Sequence, residues 1–237
     1  NAYYAPDALA DRILENLRYA EKKDRPPEGE TTIFLTPGLF ARMIHALFPG
    51  INGRNVTKGE SPLAGRLGER ILSPALTIVD DPHRDFAPGA RAIDPEGVPT
   101  RAQSLFENGV LRRFLYDLDT AGLAQAEATG NMHCQPYLPV VLSGDRPSAD
   151  LLAGIEDGLY LVELLGFGQS NIINGDFSAN IALGFRIRNG EITGRVKDTM
   201  ISGNLYEIFG ANLELSSDLN HEGRFPYALV KGIKVSA

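Results

Sequence analysis

The stretch from Gly158 to Phe209 decides the predicted fold, and it reads GLYLVELLGFGQSNIINGDFSANIALGFRIRNGEITGRVKDTMISGNLYEIF. It opens with an apolar run of strand length, Leu159 to Leu165, and continues through a glycine-punctuated polar loop, Gly166 to Gly175. Between residues 181 and 188, apolar side chains then alternate with others at the period of two that is typical of a half-buried strand. This alternation predicts that Arg186 and Arg188 lie on the solvated face of that strand.

Two Asn-Gly pairs predict hairpins. Asn189-Gly190 follows the alternating strand, and both residues tolerate positive φ, so the pair predicts a type I′ turn with Ile192 to Val196 as the return strand. Asn108-Gly109 separates two further apolar runs in the same way. With short helical patterns elsewhere, we expect an α+β fold whose sheet is largely antiparallel, with β-hairpins and a few short helices.

The composition narrows the class of protein. The chain has 237 residues, 43% of them hydrophobic and 22% charged, as in ordinary globular proteins. A net charge of -7 without a basic run argues against nucleic-acid binding. Cys134 is the only cysteine, which excludes an internal disulfide and fits a reducing compartment. We expect a cytoplasmic protein that binds neither nucleic acid nor membrane.

The early part of the chain is predicted to contain a helix followed by a linker. Residues 7 to 24 repeat apolar side chains at three- and four-residue steps, which predicts a helix. Arg25-Pro26-Pro27-Glu28-Gly29 ends that helix and forms a linker. We therefore divide the chain into a helix and linker, residues 1–25, and a domain, residues 26–237.

Several short motifs follow one another along the chain, and their order is informative. They are DPEGVPTRAQSLFENGVLRRFLYD from Asp94, Thr129-Gly130-Asn131, GFG from Gly166, NGDFS from Asn174, NGEI from Asn189 and TMISGNLYEIF from Thr199. Together they resemble the C-terminal domain of the TldD/PmbA family, from about Thr31 onward. Members of that family act in peptide maturation and were once called modulators of DNA gyrase. The resemblance implies that residues 1–25 are the tail of an N-terminal region.

The resemblance also draws attention to a metal motif. The active branch of the family carries His-Glu-x-x-x-His on a helix and a later cysteine, and the glutamate can act as general base on a metal-bound water. The matching helix is predicted from Gly38 to Phe48, and it places Ile44 and Pro49 at the histidine positions and His45 at the glutamate. Residues 219–223 stand where the cysteine is expected.

An isoleucine cannot coordinate zinc, so this chain resembles the PmbA/TldE branch of the family. That branch is thought to pair with a metal-bearing TldD-type subunit. The resemblance therefore implies no catalytic residue and no metal in this chain, zinc only in the partner, an extended or unfolded peptide as substrate, and an oligomeric assembly.

The glycine-rich loop is the predicted peptide-contact site. Its glycines would allow close backbone approach, and its amides would bond to peptide groups. The predicted peptide-binding residues are Gly166, Gly168, Asn171, Asn174 and Asp176. The alternative is structural, with turn-forming glycines and Asp176 closing an Asx-type turn.

Two other functions stay open at this point. The chain could be an autonomous metal-dependent peptidase with a non-standard site, built from a cluster such as His133, Cys134 and His221. It could also be a homo-oligomeric binding or scaffold protein. His83, close to Asp80, predicts either a hydrolytic cluster or a proline-stabilised turn.

Overall fold

The structure of the chain is a computed structural model that describes residues 6–169, 171–220 and 222–236. Its helices are α1 (Pro6–Ala20), α2 (Pro37–His45), α3 (Phe48–Ile51), α4 (Gly53–Thr57), α5 (Leu118–Ala124), α6 (Ser148–Ala153) and α7 (Leu205–Gly210). Its strands are β1 (Gly29–Leu35), β2 (Ile78–Asp80), β3 (Gln103–Glu107), β4 (Val110–Leu111), β5 (Pro139–Val141), β6 (Asp157–Leu165), β7 (Asp176–Arg188), β8 (Glu191–Arg195), β9 (Met200–Asn204), β10 (Leu213–Leu219) and β11 (Pro226–Ser236). Over the described residues, no helix combines the length and hydrophobicity needed to cross a membrane.

Seven strands form one sheet that closes on itself. Strands β1, β6, β7, β9 and β11 pair in this order, and β11 pairs back with β1. Strand β8 is attached to β7, and β10 to β11. Only the β1–β6 pair is parallel among the described strands. The other four strands form a small antiparallel sheet in the order β4-β3-β2-β5. The predicted α+β fold with a largely antiparallel sheet is confirmed.

The main hydrophobic core fills the inside of the ring and continues to α2 and the small sheet. Ile33 belongs to this inner core, whereas its neighbour Phe34 belongs to a second cluster on the outer face. The two differ because successive side chains on a strand point to opposite faces. Residues of α6 and the last turn of α1 cover the outer cluster, where the Tyr19 ring lies edge-on to Phe185 at 5.5 Å.

Both predicted hairpins are confirmed by the backbone. Asn189 and Gly190 have φ of 50° and 79°, and Asn108 and Gly109 have φ of 47° and 76°. These are the paired positive values that a type I′ turn requires. The turns join β7 to β8 and β3 to β4.

The prediction for the two arginines of β7 is half wrong. Arg188 is exposed, but the Arg186 side chain is only 6% exposed and pairs with Asp157. Arg186 lies opposite Leu159, whose side chain is part of the inner core. Its face of the strand is therefore the inside of the ring and not the solvent.

The two attached strands have covered outer edges. Residues 22–24 pair with Arg195 on β8 through backbone hydrogen bonds of 2.8 and 3.0 Å. Residues 144–146 pair with residues 216–217 on β10 through bonds of 2.9 and 2.7 Å. The linker after α1 thus adds to the sheet, and the predicted boundary between residues 1–25 and 26–237 stays a prediction.

Candidate functional site

The candidate site is built on helix α2. Thr36 stands before it in an extended conformation as N-cap, and Pro37 takes the first helical position, where a missing N–H costs nothing. The predicted helix, Gly38 to Phe48, thus starts one residue earlier, at Pro37, and ends earlier, at His45. One face is buried in the core through Leu39, Phe40, Met43 and Ile44. The opposite face carries Ala41, Arg42, His45 and Ala46, which form a strip of i,i+4 neighbours.

The loop after β6 lies against this strip. Gly166 and Gly168 have φ of 80° and 96°, in the left-handed region that side chains disfavour. Phe167 between them packs on the inner core, with its ring 5.5 Å from that of Phe177. The strip and the loop together border an open groove of about 470 Å³, lined by Ala41, Arg42, His45, Ala46, Phe167 and Gly168.

His45 is the imidazole of this groove. The residue is exposed along the groove, while its ring packs against Phe48 and Phe225 at centroid distances of 5.1 and 6.2 Å. This burial lowers the pKa of His45, and the nearby charge of Arg224 lowers it further. The pKa falls because both surroundings disfavour the imidazolium. The groove therefore presents an imidazole that binds a proton less readily than usual, together with the Arg42 cation.

The residues at the positions of the family's metal motif do not fit a metal. Ile44 is fully buried and apolar, and Pro49 lies in the next helix, α3, and carries no ligand atom. Within the described ranges, no group of three His, Cys, Asp or Glu side chains is arranged to hold a metal ion. The donor set of α2 thus supports no metal chemistry in this groove.

A free strand edge runs beside the groove. The pairing of β1 with β6 ends at Leu161, whose carbonyl accepts a bond of 3.1 Å from the Thr36 N–H. The pairing of β7 with β6 continues to Leu165. On the side of α2, no described strand pairs with residues 162–165. Residues 162–165 thus extend β6 beyond its pairing with β1.

The predicted peptide-contact residues fall into two places. Gly168 lines the groove, and Gly166 shapes the same loop. Asn171, Asn174 and Asp176 are exposed further along the loop. No contact brings these three to the groove among the described residues, and their role in peptide binding stays a prediction.

Asn204 fixes the end of that loop. Its Nδ2 donates to the Asn174 carbonyl and to Asp176 Oδ1, both at 2.8 Å. Its Oδ1 accepts the N–H groups of Tyr206 and Glu207, so it caps α7. Asp176 opens β7 and is bonded to this side chain, which differs from the predicted Asx-type turn.

Two members of the alternative cluster, His133 and Cys134, lie among the described residues. His133 is exposed, and the Cys134 thiol is buried beside Thr120, with Sγ 3.2 Å from Oγ1. Both residues have positive φ, and the Asn52 side chain holds their carbonyl groups at 3.1 Å. His221 lies outside the described residues.

His83 and Asp80 have separate partners. Asp80 is fully buried and accepts bonds from the Leu138 N–H at 2.7 Å and Asn131 Nδ2 at 2.8 Å. Burial raises the pKa of its carboxyl group, although these bonds oppose the rise. His83 Nε2 lies 3.1 Å from Thr100 Oγ1. This geometry fits the turn interpretation and not a hydrolytic cluster.

Besides His45, which was predicted only as a motif position, the sequence reasoning missed four groove residues, Ala41, Arg42, Ala46 and Phe167. The first three follow in hindsight from the helix pattern, because they occupy the face opposite the buried one. Phe167 gives no such local signal, since only the tertiary fold brings its loop to α2.

Comparisons with known proteins agree with this geometry. A family model described as "PmbA/TldA metallopeptidase C-terminal domain" matches residues 28–237. A protein named "Metalloprotease" from Methanothermobacter thermautotrophicus is 37% identical over 210 residues, which cover 85% of this chain and 46% of that protein. A "Metalloprotease TldD homolog" from Haemophilus influenzae is 31% identical over 192 residues, which cover 77% of this chain and 40% of that protein.

The fold is likewise similar to a solved structure. The crystal structure of TldE from Thermococcus kodakarensis superimposes with a TM-score of 0.88 at 27% identity, covering 98% of this chain and 55% of that one. The chain spans about half the length of the curated relatives that it matches.

Proposed function

The chain belongs to the PmbA/TldD metallopeptidase family, and on this premise we propose that it is the PmbA/TldE-like subunit of a TldD/TldE-type metalloprotease system in peptide maturation and proteolysis. In this role it binds the substrate, an extended or unfolded peptide, in the cytoplasm. The TldD-type partner subunit supplies the zinc and the hydrolysis.

The observation that carries the proposal is a groove without ligands at the family's metal position. The outer face of α2 offers Arg42 and His45, and Ile44 is turned into the core. The groove and the adjoining strand edge at residues 162–165 could still bind a substrate. The side chains needed to hold a cation are replaced.

Peptide binding follows from the strand edge at residues 162–165. A peptide added there would form main-chain hydrogen bonds, which all peptides can make, so affinity would place few demands on sequence. Its side chains on one face would enter the groove next to Gly168, where no side chain intervenes.

The test mixes the purified chain with a TldD-type metalloprotease subunit from its own host. We expect cleavage of an unfolded peptide by the mixture, loss of cleavage with a chelator, and no cleavage by this chain alone. Stoichiometric zinc that survives dialysis of this chain, together with cleavage by the chain alone, would contradict the proposal.

A glycine pair separates groove blocking from backbone strain. Gly168 and Gly97 have φ of 96° and 84°, and an added Cβ meets no atom within 4 Å at either position. Gly168→Val and Gly97→Val therefore carry a similar backbone cost. We expect only Gly168→Val to reduce peptide cleavage by the mixture. Equal effects of both would mean that the groove does not bind substrate.

A further inference from the structure

The groove carries one cation that the fold does not use. Arg42 is exposed on the strip of α2, and none of the described carboxylates forms a salt bridge with it. Arg224, near the other side of His45, is paired with Glu222, with Nε 2.8 Å from Oε2. Arg224 thus has a carboxylate partner within the protein, whereas Arg42 has none among the described residues and can take a ligand.

The surroundings of Arg42 make it a selective site. Its i,i+4 neighbour Ala46 is small, and Phe167 and Gly168 line the same groove, so Arg42 has mainly apolar neighbours there. A guanidinium presents a rigid fork of donors that matches a carboxylate in a bidentate pair. The whole chain has a net charge of -7, so the positive charge in the groove is opposite in sign to the net charge of the chain.

We infer that this groove selects a peptide carboxylate, which Arg42 binds while a neighbouring apolar residue of the peptide packs on Phe167. The inference rests on the proposed function, because it assigns the chemistry of the peptide that the groove takes. The carboxylate is either an acidic side chain or the free C-terminus of the peptide, and the two sources are separated by experiment.

The experiment measures binding of labelled hexapeptides to the 237-residue chain by fluorescence anisotropy. One series carries Glu or Gln at a single central position with an amidated C-terminus. A second series carries no acidic residue and ends in a free carboxylate or an amide. The variants are Arg42→Gln, Arg42→Lys and the control Arg101→Gln, an exposed arginine for which the described residues show no salt bridge.

We expect wild type to prefer the carboxylate peptide of at least one series by about fivefold. The factor is modest because water screens an exposed ion pair. Arg42→Gln removes the preference and leaves the uncharged peptides unchanged, Arg42→Lys keeps part of it, and Arg101→Gln keeps all of it. Because Arg42 is exposed, the variants fold normally, and thermal denaturation checks this.

The outcomes distinguish a failure of this inference from a failure of the proposed function. Binding of every peptide without preference for a carboxylate, or an Arg42→Gln effect that is equal for acid and amide, overturns the inference alone. Binding of no peptide in either series removes the proposed substrate-binding role as well.

Discussion

Truncating Phe167 tests whether the loop wall of the groove is held by packing. The Phe167 side chain is partly buried, packs on the inner core and lies with its ring 5.5 Å from that of Phe177 in a tilted arrangement. A phenylalanine in this position removes roughly 120 Å² from water, which at about 25 cal/mol per Å² is about 3 kcal/mol. The loop can relax partly into the space left by the ring, which reduces the loss of stabilising free energy. We therefore expect Phe167→Ala to destabilise the fold by about 2 kcal/mol.

The assay is urea denaturation followed by circular dichroism, with peptide binding measured under native conditions. Phe86→Ala is the matched control, because Phe86 is 92% exposed and loses almost no contact on truncation. We expect little change in stability for Phe86→Ala and unaltered peptide binding. For Phe167→Ala we expect weaker peptide binding even where the protein is fully folded, since the groove loses a wall.

This reasoning is refuted if Phe167→Ala lowers the free energy of unfolding as little as Phe86→Ala does. The loop would then not be anchored by its aromatic side chain. Full stability loss with unchanged peptide binding would instead show that the loop is part of the core but not of the binding site.

Two further predictions concern pH. The hydrogen bond from Arg188 holds the pKa of Asp24 well below its ordinary value of 3.8, so Asp24→Asn should lower the urea midpoint at pH 6 and lose this effect as the pH falls below 3.8. Asp145→Asn, at an exposed aspartate, serves as control, and equal effects of both changes would show that the Asp24 contact contributes nothing. Burial lowers the pKa of His45 below its ordinary value of 6.5, so the unfolded chain binds a proton at this imidazole more tightly than the folded chain does. The neutral imidazole therefore contributes fully to stability above pH 6.5, and this contribution decreases as the pH falls below 6.5. His45→Asn should therefore show a smaller drop in urea midpoint between pH 7.5 and 5.5 than wild type, and an identical drop in both would count against the burial of this imidazole.

Local patterns were enough for much of the fold. Asn189-Gly190 and Asn108-Gly109 determine their turns because both positions of each pair must take positive φ. Thr36 and Pro37 determine the start of α2, since a proline at the first helical position removes no hydrogen bond. The placing of Ile44 and Pro49 at the family's ligand positions also comes from the sequence, through the resemblance, and it stays a prediction.

Tertiary structure decided what the local patterns could not. Alternation along β7 shows that two faces exist, but it does not say that Arg186 faces the inside of a closed ring. Ring closure depends on the pairing of β1 with β11, at opposite ends of the domain, and no residue spacing encodes that pairing. The groove has the same origin, because Phe167 and Arg42 meet only after β6 and α2 have packed together. The sequence by itself determined most of the elements and both hairpin turns. The tertiary structure determined the strand edge and the cationic groove, since these depend on contacts between distant parts of the chain.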